Sequence, residues 1–236
     1  MDIYTDHTSF TYPGDQEMLL IRHGQSTANA SGVWQGQLDF PLSDEGRRQA
    51  ASAGRALKDA KVSGVYASPL SRAFETAEIV AREAGFTGEI ISMPGLAERH
   101  GGVLEGHTWA EQEARNPEFA ERFLALPEEK RWAFADAETD EEILDRFEEA
   151  LSKIRSYHPI RDGATVVVTH GGVMRAFLRE RFGPSILPGH KRAPNASITR
   201  LLYDLADPDP APRLLDLAST NHLSWEEERH AQTRIE

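Results

Sequence analysis

Cysteine is absent from this chain of 236 residues, which removes disulfides, thiolate metal sites and every mechanism with a cysteine nucleophile. No run approaches the ~18 apolar residues that a membrane span needs. Basic residues are scarce. The 26 Lys and Arg face 38 Asp and Glu, a formal net charge of −12, which argues against a general nucleic-acid or anionic-membrane binder because both need a basic face. Residues 1–17 lack the basic and apolar blocks of a secretory signal and carry Pro13-Gly14. The sequence therefore predicts a flexible leader followed by one cytoplasmic domain over residues 18–236. Taken alone, the acidic balance also speaks against a phosphorylated substrate.

The acid is unevenly spread. Residues 105–149 hold 15 Asp and Glu against 5 Lys and Arg, a net −10, and leave the remainder nearly neutral. The same stretch carries Trp109, Phe119, Phe123, Trp132, Phe134, Ile143 and Phe147, so it predicts an amphipathic helical insertion rather than a disordered acidic tail. A cover over the active site that disfavours highly anionic substrates such as bisphosphates is the corresponding expectation.

Elsewhere short apolar runs alternate with helical patterns. Strands are predicted at 18–21, 62–67, 89–92, 164–168, 197–203 and 213–217. Helices are predicted from Ser43 as N-cap to Leu57, from Ser71 to a stop at Gly85, at 139–157, and at 173–182 before Gly183-Pro184. The proline cluster at 207–212 reads as a turn. Such alternation predicts a three-layer α/β/α domain with a mainly parallel central sheet flanked by helices.

In such sheets ligands sit beyond the carboxyl ends of the strands. Three exits there carry chemistry: Arg22-His23-Gly24, Ser68-Pro69-Leu70-Ser71-Arg72, and Thr169-His170-Gly171-Gly172. Singly, a histidine or arginine at a loop start is most often a cap or a surface group. Together they offer two arginines and two histidines to one pocket, and a glycine after each histidine lets a bulky anion approach the backbone.

These residues also carry a resemblance. Leu20-Ile-Arg-His-Gly-Gln-Ser-Thr-Ala-Asn29, Gln35-Gly-Gln-Leu-Asp-Phe-Pro-Leu-Ser-Asp-Glu-Gly46, Ser68-Pro-Leu-Ser-Arg72, Glu98, Thr169-His-Gly-Gly172 and Pro194-Asn-Ala-Ser-Ile198 together resemble the histidine phosphatase superfamily, which includes the cofactor-dependent phosphoglycerate mutases. The resemblance implies His23 as the nucleophile that becomes phosphohistidine. It implies Arg22, Arg72 and His170 as donors to the phosphoryl oxygens, Glu98 as proton donor, and Ser26, Asn29 and Gly171 as further substrate contacts. It implies no metal and no cofactor. His100 and His107, separated by six residues, match no common zinc spacing and read as rim or structural groups.

The leading expectation is a phosphatase acting on a small-molecule phosphate ester, with no nucleic acid or membrane partner and a homodimer left open. A mutase is the alternative, because Glu98-Arg99-His100 echoes that branch. Against it, Ala28 stands where the mutases carry tryptophan, and Lys130-Arg131 is the nearest match to their adjacent arginine pair for the substrate carboxylate. A silent binding module is a third reading, at odds with all five core positions being filled.

Overall fold

The computed structural model describes residues 15–157, 163–187, 192–204, 206–207 and 210–223. In chain order the elements are β1 (Asp15–Arg22), α1 (Thr27–Ser31), α2 (Asp44–Ala56), β2 (Val62–Ala67), α3 (Ser71–Ala84), β3 (Ile90–Ser92), α4 (Trp109–Arg115), α5 (Pro117–Ala125), α6 (Glu128–Phe134), α7 (Asp140–Tyr157), β4 (Ala164–Thr169), α8 (Gly171–Phe182), β5 (Ile198–Asp204) and β6 (Arg213–Ser219). The six strands form one sheet in the order β3-β2-β4-β1-β5-β6. β3, β2, β4 and β1 pair in parallel, and β5 runs antiparallel to both β1 and β6. Only β5 is reversed, so the sheet is mainly parallel as expected.

Strand β1 begins before the expected position. The polarity of Asp15, Gln16 and Glu17 predicts that they belong to the leader, yet they are buried in the sheet. Cross-strand partners make this tolerable: Glu17 pairs with Arg200 at 2.7 Å and Asp15 with Arg213 at 2.9 Å, and a paired, hydrogen-bonded charge avoids most of the penalty of burial. The rest of the expected leader, residues 1–14, lies outside the described residues.

Alternation along β1 divides the core. Met18 and Leu20 pack with Ile143, Phe147, Leu151 and Ile154 of α7 and with Val173 and Phe177 of α8. Leu19 and Ile21 pack on the other face with Ala53 of α2, Leu57, and Ala73, Ala77 and Val80 of α3. Period-two side-chain direction thus sends each neighbour to an opposite helical layer. Fully burying each large aliphatic side chain stabilises the fold by ~1.5–3 kcal/mol.

The acidic segment is two structures. Its first part, α4 to α6, gathers Trp109, Phe119, Phe123, Trp132 and Phe134 with Leu104 and Trp34 into a small core of its own. Its last part is the start of α7, whose inner face belongs to the main core. Some of the acids pair with arginines, Glu128 and Asp140 with arginines outside the segment. Glu128 lies 2.5 Å from Arg175 and 3.2 Å from Arg179 of α8, Glu138 lies 2.5 Å from Arg146, and Asp140 pairs with Arg99. No helix among the described residues is long and apolar enough to cross a membrane.

Candidate active site

Because β2, β4 and β1 are adjacent and parallel, their carboxyl ends emerge side by side. The ladder continues past them: the His23 amide donates to the Thr169 carbonyl at 2.9 Å, and the Ser68 amide to the Val168 carbonyl at 3.0 Å. His23 and His170, the residues after β1 and β4, are both buried. Their ring centroids are 5.0 Å apart with planes tilted by 60°.

His23 Nδ1 lies 2.7 Å from the Gly24 carbonyl. A carbonyl only accepts, so Nδ1 carries the proton and Nε2 carries the lone pair. Burial, then the charges around His170, Arg72 and Arg22, push the imidazole well below its ordinary pKa, which keeps it neutral. Gly24 is required on steric grounds, since a Cβ there would come within 2.3 Å of the Gly46 carbonyl oxygen.

The arginines are anchored through some donors and open at others. Arg22 Nη1 donates to the Ala193 carbonyl at 2.6 Å. Burial and the nearby Arg192 lower its pKa to about 10, against an upward pull from Glu98, so it stays cationic at neutral pH. Arg72, fully buried on α3, donates to the Leu38 and Gly36 carbonyls at 2.9 and 2.7 Å. The Nε atoms of both arginines are buried without a hydrogen-bond partner. His170 Nε2 lies 2.7 Å from the Ser68 hydroxyl, while its Nδ1 has no partner. Burial, then Arg72, Arg22 and Arg146, hold this imidazole well below its ordinary pKa too.

Glu98 reaches the same place from the loop after β3. Its carboxylate accepts backbone N–H bonds from Arg99, Gly172 and Val173 at 2.9, 3.0 and 3.1 Å. Burial pulls its pKa upward, but Arg192, the Gly172 and Arg99 amides and Arg72 outweigh it, so the carboxyl lies below its usual range. The loop itself is braced by Arg146 of α7, which donates to the carbonyls of Gly95, Ala97 and Glu98 at 2.9, 2.7 and 3.1 Å.

Arg22, His23, Arg72, Glu98 and His170 therefore converge on one point, with Gly171 opening α8 beside them. Ser26 does otherwise. Its hydroxyl donates to Gln35 Oε1 at 2.7 Å and accepts the Asn29 amide at 3.0 Å, capping α1. That occupies its single proton and makes it a support rather than an open donor. Asn29 accepts from the Ser26 amide and from Asn195 Nδ2, both at 3.2 Å, which leaves its own amide group to donate. His107 contacts Arg115 at 2.6 Å, and His100 lines an open groove of about 480 Å³ with Gln37, Asp136, Glu138 and Glu142. Arg131 holds the turn between α5 and α6 through the carbonyls of Leu126 and Leu124, each at 2.9 Å.

Three participants escaped sequence reasoning. Asn195 donates to the His23 carbonyl at 3.0 Å, and its place in Pro194-Asn-Ala-Ser-Ile198 was the available signal. Ser68, within a quoted motif, had no assigned partner. Arg192, three residues before Asn195, stands in no recognisable pattern.

The profile of the histidine phosphatase superfamily (branch 1) matches residues 18–210. The chain belongs to the histidine phosphatase superfamily. Within it, the chain is 38% identical over 161 residues to a metal-independent phosphoserine phosphatase of Arabidopsis thaliana, covering 68% of this chain and 66% of that one. It is 39% identical over 170 residues to phosphoglycerate mutase-like protein 4 of the same plant, covering 72% of each. A mycobacterial glucosyl-3-phosphoglycerate phosphatase, solved with VO3, superposes with a TM-score of 0.71 at 26% identity over 87% of this chain and all (100%) of the other. This histidine phosphatase thus shares its α/β framework with enzymes named as phosphatases.

Proposed function

We propose that this protein is a phosphoric monoester hydrolase that works through a phosphohistidine on His23. The observation that carries the reading is the free, unprotonated Nε2 of His23, held in its tautomer by the 2.7 Å contact of Nδ1 with the Gly24 carbonyl and surrounded by Arg22, Arg72 and His170. Nε2 attacks phosphorus and the ester P–O bond breaks. The arginine forks and the His170 N–H stabilise the charge on the equatorial oxygens, which is the main task in phosphoryl transfer.

Glu98 supplies the proton to the leaving oxygen and then accepts one from the water that breaks the P–N bond. In the free site it is a carboxylate, because Arg192, Arg72 and backbone amides favour the charge. A bound phosphate dianion offsets those same cations and adds its own repulsion, so substrate binding raises the Glu98 pKa toward the proton-donating form.

The hydrolase is favoured over the mutase because Lys130-Arg131, the nearest match to the mutases' adjacent arginine pair, does not serve as one: Arg131 is committed to the α5–α6 turn. The decisive experiment is a rapid quench with a 32P-labelled phosphomonoester. An acid-labile, base-stable phosphoenzyme absent from His23→Ala is expected. Absence of phosphoenzyme and of turnover across sugar, nucleotide and phospho-acid esters overturns the reading, and efficient interconversion of 3- and 2-phosphoglycerate replaces it with the mutase.

A further inference from the structure

Arg192 favours the charge on Glu98 but has no assigned contact with the phosphoryl group. Its guanidinium lies 5.1 Å from the Trp34 ring, and its Cδ flanks Gly171 together with Arg22: a Cβ on that glycine would meet Arg22 Nε at 3.1 Å and Arg192 Cδ at 3.3 Å. The next residue, Ala193, holds Arg22 through its carbonyl at 2.6 Å. Arg192 thus passes the mouth of α8 beside Arg22 and extends to the Trp34 ring, which packs on the small aromatic core of α4 to α6.

Among the described residues no side chain or carbonyl accepts a hydrogen bond from Arg192. Its neighbours are otherwise engaged. The Glu98 oxygens take backbone amides, while Arg99 has Asp140 and Arg175 has Glu128. The ring of Trp34 supports the face of the guanidinium and leaves its donors, which lie in the plane, free. Burial lowers the Arg192 pKa, opposed by Glu98 and reinforced by Arg99 and Arg175. Arg192 is partly exposed and none of its nitrogens is a buried atom without a partner, so its N–H donors face solvent and are open to an entering ligand.

We propose that Arg192 is a specificity residue that receives a carboxylate on the leaving group, so that the preferred substrates are phosphorylated hydroxy acids rather than neutral alcohol phosphates. This rests on the phosphatase reading of the same site. A planar fork matches a carboxylate through two parallel bonds. A second phosphate is disfavoured, because the groove opening beside Gln37 is walled by Asp136, Glu138 and Glu142 and Gln37 itself donates to the Glu98 carbonyl at 3.0 Å. A monoanion meets less repulsion there than a dianion.

The test compares 3-phosphoglycerate with glycerol 1-phosphate, which differ only by carboxylate against hydroxymethyl, and adds glycerol 1,3-bisphosphate. In the native protein kcat/KM is expected to favour 3-phosphoglycerate. Arg192→Gln is expected to lower that preference about 10- to 100-fold, the cost of one charged hydrogen-bonded contact, with Arg192→Lys in between. An unchanged preference in both variants, or a loss confined to the bisphosphate, overturns the assignment. Native protein that turns over none of the three overturns the proposed preference, while the phosphatase reading stands or falls on the wider ester panel and the phosphoenzyme. Arg192 is also judged by calorimetric binding of the same pair to His23→Ala, where equal affinities with and without Arg192 refute its role.

Discussion

The Ser68 hydroxyl lies 2.7 Å from His170 Nε2, and the same oxygen accepts the Leu70 amide at 3.3 Å. A hydroxyl holds one proton and two lone pairs, so while it accepts from Leu70 it is able to donate that proton to Nε2. In that arrangement the neutral imidazole carries its own proton on Nδ1, the atom without a partner in the fold. A strand-end serine can thereby select which edge of a histidine on the neighbouring strand donates to a phosphoryl oxygen.

Ser68→Ala is expected to lower kcat by about 10- to 100-fold with a smaller change in KM, and to destabilise the fold by about 1–3 kcal/mol through the orphaned nitrogen. Ser68→Thr keeps the hydroxyl and is expected to restore most of the rate. Nitrogen NMR of His170 reads the tautomer directly. An Nδ1–H population that survives Ser68→Ala would show that the hydroxyl does not select it.

Glu98→Gln separates the two proton transfers. Esters of aliphatic alcohols need a protonated leaving oxygen, so their phosphorylation step is expected to slow by ~10²–10⁴-fold. p-Nitrophenyl phosphate needs little proton assistance and is expected to phosphorylate His23 at nearly the native rate, giving a burst followed by slow hydrolysis. Equal losses for both substrates in stopped-flow traces would remove Glu98 from its role as acid.

The pH dependence of stability follows from the two histidines. Both are held well below the ordinary imidazole value by burial and by their cationic neighbours. The unfolded chain takes up protons near pH ~6.5 that the fold refuses, so stability is full above that value and falls as the pH drops below it, by at most ~1.4 kcal/mol per unit for each histidine. Thermal melts at pH 7.5 and 5.5 are expected to differ, and the difference is expected to shrink in a His23→Gln/His170→Gln variant. Parallel pH profiles for the two proteins would count against this coupling.

Much of this is legible in the sequence. The strand at 62–67, Ser43 as the cap of α2 and Gly85 as the end of α3 follow from signals that act over one turn or one pleat. In the structure Ser43 accepts the Gly46 amide and Gly85 adopts a φ of 77°. The start of β1 was not legible, because the burial of Asp15 and Glu17 depends on Arg213 and Arg200, which are distant in sequence. The acidic segment illustrates the same limit. Its net charge was countable, but Glu128 meets Arg175 of α8 and Asp140 meets Arg99 of the loop after β3 only once those distant parts of the chain have packed together.

The sequence by itself determined the chemical inventory: no thiol, two glycine-flanked histidines and two arginines at strand exits, and a glutamate in the loop after β3. Local periodicity also determined the order of strands and helices. Tertiary structure decided the electrical state and the aim of those groups. The tautomer of His23 rests on a carbonyl one residue away, but that of His170 rests on Ser68. The charge on Glu98 rests on amides of α8 and on Arg192. Proton affinity depends on what surrounds an atom within a few ångströms, and in this sheet those surroundings come from strands and helices that are neighbours in space and far apart along the chain.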